Sequence, residues 1–320
     1  MAVNLHKPER WKEDIAKSVD MYNKWFMKFA PRAFRSNRIQ ITKDVEGSLI
    51  STAYMTRIDS AILRQHPEIL PTLRMSTCPP LAVDRLIGLA NVSSNLVKYV
   101  EKEKKFPPRM NSREINNEIS KIARIIKKMA DPDIFVWLGR DDPPAKTDIH
   151  RAATIIADRL CGAIANPIIR NAQEKRQLET IRTWLEKRGY KQISPGQGIR
   201  FDAMHPGTFS FRMNIPANLK GGDRKVIIPV DAVIMPKSAK KIDLPILFEA
   251  KSAGDFTNTN KRRKEETVKM MQLRSTYGDK VQFNLLLCGY FDSGYLGYEA
   301  AEGIDWVWEH RIDDLAHFGI

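Results

Sequence analysis

Three residues stand out by type and spacing. Asp231 interrupts an otherwise apolar run, KVIIPVDAVIM at 225–235, and a carboxylate in such a strand needs a partner to offset its burial. Eighteen residues later, PILFEAKSA sets Glu249 and Lys251 at i and i+2, the spacing that puts two side chains on one face of a strand. Two carboxylates and a lysine brought together at strand ends suit a hard divalent cation with a positive group beside it. Mg2+ takes one or two carboxylates, keeps several waters and draws its remaining ligands from a substrate phosphate. A cation there lowers the pKa of water and stabilises charge developing on the phosphate. The expected metal ligands are Asp231 and Glu249. Lys251 is expected to orient or help deprotonate the attacking water, or to neutralise the pentavalent intermediate. An ExK triplet alone is common and usually an ordinary surface pair. Here it ends an apolar strand, follows a PxD strand at a hairpin-like distance and precedes a strongly basic helix, and that setting carries the reading.

The elements that must position these residues follow from local pattern. Thr208–Ile215, Lys225–Met235 and Leu244–Ala250 are short, rich in Val, Ile or Phe, and bounded by Gly or Pro, which predicts strands. Gly221-Gly222-Asp223 reads as the hairpin turn before the Asp231 strand. A helix is expected from Asn260 to Tyr277 and a strand from Val281 to Phe291, and the alternation of Trp306 and Trp308 about Val307 predicts a further strand, as core or subunit contact. Before them, Pro167–Arg188 carries Leu178, Ile181 and Leu185 at helical spacing and stops at Gly189. The first half reads as helices at Glu9–Arg35, Leu81–Lys105, Ile115–Met129 and Thr147–Ala165, broken at Pro79-Pro80, Pro107-Pro108 and Pro143-Pro144. The expected fold class is mixed α/β, with a helical domain over residues 1–165 and an α/β domain over 166–320.

Composition narrows the function. With 42% apolar and 28% charged residues, the 320-residue chain is of ordinary globular type, and its apolar runs are too short to cross a bilayer. No secretory leader is visible, and Cys78, Cys161 and Cys288 form no CxxC pair, so a cytoplasmic protein with reduced thiols is expected. Fifty-two Lys and Arg against 38 Asp and Glu give a net charge of +14, a surplus that favours polyanions over an anionic membrane surface. There is no GxxxxGK[ST] loop, no HExxH and no GxSxG elbow, which leaves ATP-driven, zincin and serine-hydrolase chemistry without a motif.

Pro229-Val230-Asp231 followed by Glu249-Ala250-Lys251 resembles the PD-(D/E)XK nuclease signature. The surrounding FEAKSAGDFTNTNKRRKEE is similar to type II restriction endonucleases, the XamI-like group in particular. The resemblance runs over about residues 165–320, including IRNAQEKRQLETIRTWLEKRGY and IDWVWEHRIDD. It implies an αβββαβ core, the order read above, and Mg2+-dependent, sequence-specific phosphodiester cleavage of double-stranded DNA in a bacterial cytoplasm. By position, Asp231 and Glu249 become metal ligands and Lys251 the catalytic lysine. A cognate DNA methyltransferase is implied in the same host. A homodimer is expected, because two-fold symmetry mirrors a palindromic site. The other readings are a repair, recombination or modification-dependent nuclease, and a non-catalytic DNA-binding protein on a nuclease fold.

Two more acids and one basic cluster complete the expectations. Nucleases of this kind often add a glutamate from the first core helix. Glu174 fits that place, being four, seven and eleven residues before Leu178, Ile181 and Leu185, though a glutamate reaching solvent fits equally. Glu265, fourteen residues beyond Lys251, is a reserve metal ligand, as in restriction enzymes that lack the central acid. Asn258, Asn260, Lys261, Arg262, Arg263 and Lys264 are expected to hold DNA. Cations in a helix's first turn oppose its dipole, so local stability does not explain them. Such side chains either read bases in the major groove or grip phosphates alone. The helical half is expected to clamp DNA or to supply the dimer interface.

Overall fold

The computed structural model describes residues 3–194, 200–218, 225–240, 243–257 and 259–320, without the side chains of residues 163–166 and 260–263. The expected turn at Gly221-Gly222-Asp223 lies outside them. The chain forms two compact units, Met1–Phe29 with Ile169–Ile320, and Ala30–Ile168.

The second of these units is helical. It holds the later part of α1 (Pro8–Ser51), then α2 (Ser60–Gln65), α3 (Leu70–Met75), α4 (Val83–Ala90), α5 (Ser94–Glu103), α6 (Ser112–Met129) and the start of α7 (Lys146–Lys187). Its core takes Val45 and Leu49 of α1, Ile119, Ile122 and Ile126 of α6, and Ala153 and Ile156 of α7. The single helix expected over 81–105 is two. Asn91 at φ +48° closes α4 in the left-handed conformation, and the Ser93 side chain caps α5 by accepting from Leu96 N–H. In the other direction, the helices expected on either side of residue 166 are one element, α7, with Pro167 inside it. Buried Arg74 is held by both carboxylate oxygens of Glu101, at 2.9 and 3.1 Å.

Among the described residues, the other unit is built on a mixed six-stranded sheet: β1 (Lys191–Gln192), β2 (Thr208–Asn218), β3 (Lys225–Met235), β4 (Ile246–Ala253), β5 (Phe283–Gly289) and β6 (Trp306–Trp308). The strands lie in chain order; β2–β3–β4 are antiparallel neighbours and the remaining pairs are parallel. One core sets Leu178, Ile181, Trp184 and Leu185 of α7 against Phe209, Ile234, Phe248 and Leu286 of the sheet. The other sets Met270 and Leu273 of α8 (Thr259–Tyr277), and Tyr295 and Leu296 of α9 (Ser293–Ala301), against Val230, Leu247, Leu285 and the buried Trp306 and Trp308. Trp306 and Trp308 are therefore core residues, one of the two roles expected for them.

The first 29 residues sit with this unit, whereas the expected division assigned them to a helical domain ending at 165. The reason is long-range contact: the Asp305 carboxylate accepts the N–H groups of Val3, Asn4 and Leu5, and Trp11 packs edge-on to Trp306 at 5.5 Å. Among the described residues no single helix is long and apolar enough to cross a membrane.

Candidate active site

The alternation of the β2–β3 hairpin changes hand at one rung. Phe209 and Phe211 belong to the core under α7, but Met213 and Ile215, at the same parity, belong to the core under α8. On β3, Ile228 and Val230 lie in the α8 core, and Ala232 and Ile234 in the α7 core. Asp231 sits at this reversal. The β3–β4 ladder also ends there, its last pair being Ala232 with Phe248. Beyond that pair the strands part, and the Asp231 carboxylate, not a strand carbonyl, takes the Ala250 N–H at 2.8 Å.

Glu249 and Lys251 leave β4 on the face covered by α8 and α9. Glu249 is 8% exposed and its Oε1 receives Lys269 Nζ at 2.6 Å and Lys251 Nζ at 3.4 Å. Its Oε2 is buried with no hydrogen-bond partner among the described residues. Lys251 Nζ is also 2.7 Å from Oε1 of Glu266, which is fully buried on α8. Burial works against a charged Lys251, but Glu249, Glu266 and Asp231 outweigh it and raise the pKa. Lys251 is therefore an ammonium at neutral pH. Asp231 is pushed up to about 6, first by burial, then by the Glu249 charge, against the pull of the Ala250 N–H; Glu174 adds to the rise and Lys251 opposes it. Behind them, buried Glu299 of α9 is pushed up to about 8 by burial and then by Glu266, while a Tyr295 hydrogen bond and Lys251 pull the other way.

The three residues singled out by their setting are thus brought together, and Glu174 joins them from the other side. It lines an open groove with Asp231 and pairs with Arg212 at 2.7 Å. Glu265 is exposed on α8, and it is the next residue, Glu266, that turns inward to Lys251. Lys264 is exposed. Asn258 lies outside the described residues, as do the side chains of Asn260, Lys261, Arg262 and Arg263, although the backbone of residues 260–263 is helical.

Sequence reasoning missed Glu266, Lys269, Glu299 and Gln177. Gln177, buried on α7, donates to the carbonyls of Lys251 and Leu286 at 3.2 Å each and accepts from the Ser252 hydroxyl at 2.9 Å, so α7 fixes the strand that carries Lys251. In sequence it looks like one more polar residue of a charged helix. The one available signal is that Gln173 and Gln177, four residues apart, share a face.

Among the described residues no group of three or more His, Cys, Asp or Glu side chains could hold a metal by itself. The protein's own donors here are two carboxylates, which suits a cation that completes its shell with water and phosphate oxygens.

A family model for XamI restriction endonuclease matches residues 53–308. The sequence is also 50% identical, over 317 residues and 99% of each chain, to the type II restriction enzyme SalI of Streptomyces albus G. The chain belongs to the XamI restriction endonuclease family. It is a type II restriction endonuclease, a site-specific deoxyribonuclease acting on double-stranded DNA. The resemblance to the XamI-like type II restriction endonucleases is borne out. Enzymes of this class generally draw on a divalent metal. Of solved structures, one of a Vibrio cholerae protein aligns with this endonuclease at 12% identity and a TM-score of 0.29, over 80% of this chain and 55% of that one. A likeness that weak carries no argument.

Proposed function

We propose that this endonuclease hydrolyses DNA with Mg2+, on a PD-(D/E)XK core of order αβββαβ formed by α7, β2, β3, β4, α8 and β5, with Asp231 and Glu249 as metal ligands and Lys251 as the catalytic lysine. The observation that carries the reading is the meeting of Asp231, at the fork of β3 and β4, with a buried Glu249 whose Oε2 has no hydrogen-bond partner among the described residues. A buried, unpaired carboxylate oxygen costs free energy unless something positive meets it. When bound, the cation supplies Lewis-acid stabilisation of the scissile phosphate and a lowered pKa for water.

The chain's residues do the rest. The Ala250 N–H fixes one Asp231 oxygen and leaves the other for a ligand. Lys269 and Lys251 both hold Glu249 Oε1, which leaves Oε2 as the ligand atom. Lys251, kept cationic by Glu249 and Glu266, orients the attacking water and offsets the charge that develops on the pentavalent intermediate. Glu174 is a fourth member of the site, at its rim. Glu265, exposed on α8, stays a reserve ligand at most. The cluster Asn258, Asn260, Lys261, Arg262, Arg263 and Lys264 grips DNA. The helical half, assigned to residues 1–165 by sequence with the catalytic domain at 166–320, serves as clamp or dimer interface. The working form is a homodimer in the bacterial cytoplasm, beside a methyltransferase that protects host sites.

The test is digestion of a plasmid with purified protein and Mg2+, followed by sequencing of the ends. Discrete fragments sharing one end sequence are expected. The Lys251→Ala variant should stop cutting and still bind DNA in EDTA. Cutting by that variant contradicts the site assignment.

A further inference from the structure

Arg212 faces Asp231 across the hairpin, between the Phe211–Ala232 and Met213–Val230 pairs, yet it forms no ladder pair of its own. Its φ is +53°, a conformation that strains an L residue with a long side chain and that an asparagine or glycine would adopt at less cost. Strain of this kind clusters at binding and catalytic sites. The side chain does not repay it through packing, being 64% exposed. It reaches back to Glu174 instead, with Nε at 3.1 Å and Nη2 at 2.7 Å from the same Oε1. An exposed pair adds little to stability, so the fold does not explain why an arginine is held here.

The surroundings supply a reason. Arg212 and Glu174 line an open groove of about 870 Å³ that also includes Asp231, Lys175, Arg182 and Asn214. A guanidinium presents a planar fork of donors that fits a phosphate as well as a carboxylate. Two of its donors, Nε and Nη2, are held by a glutamate that stands next to the proposed cleavage centre.

We propose that Arg212 is a DNA-phosphate grip held in reserve by Glu174: without DNA the guanidinium rests on Glu174, and a backbone phosphate entering the groove takes it over and frees Glu174 beside Asp231. The exchange needs no movement of the sheet, only a swing of one side chain from carboxylate to phosphate. It explains the strain as the means by which β2 aims Arg212 into the groove. It rests on reading Asp231, Glu249 and Lys251 as the cleavage centre.

The test is binding of a fluorescent duplex, carrying the end sequence obtained from digestion, measured in EDTA across a series of salt concentrations. Arg212→Gly suits the positive φ, so its thermal midpoint should equal or exceed that of the unaltered protein. Its affinity should fall about tenfold, and the slope of log K against log salt should lessen by about 1. Glu174→Gln should tighten binding, and that gain should vanish when combined with Arg212→Gly. Unchanged affinity and slope in Arg212→Gly overturn the grip. A Glu174→Gln gain of equal size with and without Arg212→Gly overturns the reserve contact. Because binding is read without metal, an error in the cleavage centre shows separately, as cutting by Lys251→Ala.

Discussion

At the scale of residues, burial decides which acids of the site carry charge. Asp231, near 6, is an anion at neutral pH, and a bound cation strengthens that state. Glu299, near 8, keeps its proton there and sits beside Glu266 without repelling it. The unfolded chain releases the Glu299 proton from about pH 4.5 upward, whereas the folded chain holds it to about 8, so this residue costs stability progressively across that window. Glu299→Gln should therefore gain on the unaltered protein in thermal midpoint between pH 5 and pH 9; an identical difference at both pH values contradicts it. Asp231, Glu249 and Lys251 were legible because a charge in an apolar strand is conspicuous. Glu266 and Glu299 were not, because a glutamate in a helix looks solvated until its partner, set on another element, is known.

At the scale of elements, β2 to β6 were readable from their β-branched and aromatic runs, whereas the two-residue β1 and the split of α4 from α5 were not. One left-handed asparagine and one serine cap outweighed an apolar pattern that would run on unbroken. The reversal of facing at Arg212 and Asp231 was equally hidden, since residues on either side keep the parity of a continuous strand. Gln177 shows how much positioning is done by such unannounced contacts. Gln177→Leu keeps the volume and loses the bonds to Lys251, Leu286 and Ser252, and should lower stability by roughly 1–3 kcal/mol. Denaturant unfolding reads that loss. Cleavage should slow as well, through kcat more than KM, because the strand holding Lys251 loses its brace; unchanged kcat contradicts the bracing role.

At the scale of the whole molecule, net charge and motif setting were enough to point to DNA and to the family, while the division of the chain was not. The segment Met1–Phe29 returns to the sheet unit because Asp305, some three hundred residues away in sequence, anchors the N–H groups of Val3, Asn4 and Leu5. A contact of that separation leaves no local trace. Cutting both strands of a symmetric site calls for two centres, so light scattering on purified protein with its duplex should give two chains per DNA. One chain per DNA at full occupancy contradicts the homodimer.

The parting of β3 from β4 has a spectroscopic consequence. The Ala250 amide proton is shared with the Asp231 carboxylate in a place where every neighbouring rung would use a backbone carbonyl. Its chemical shift and exchange rate thus belong to the proposed cleavage centre and not to the sheet. Protonation of Asp231, or arrival of a cation, is written into a main-chain signal that can be followed without substrate, without turnover and without altering a side chain.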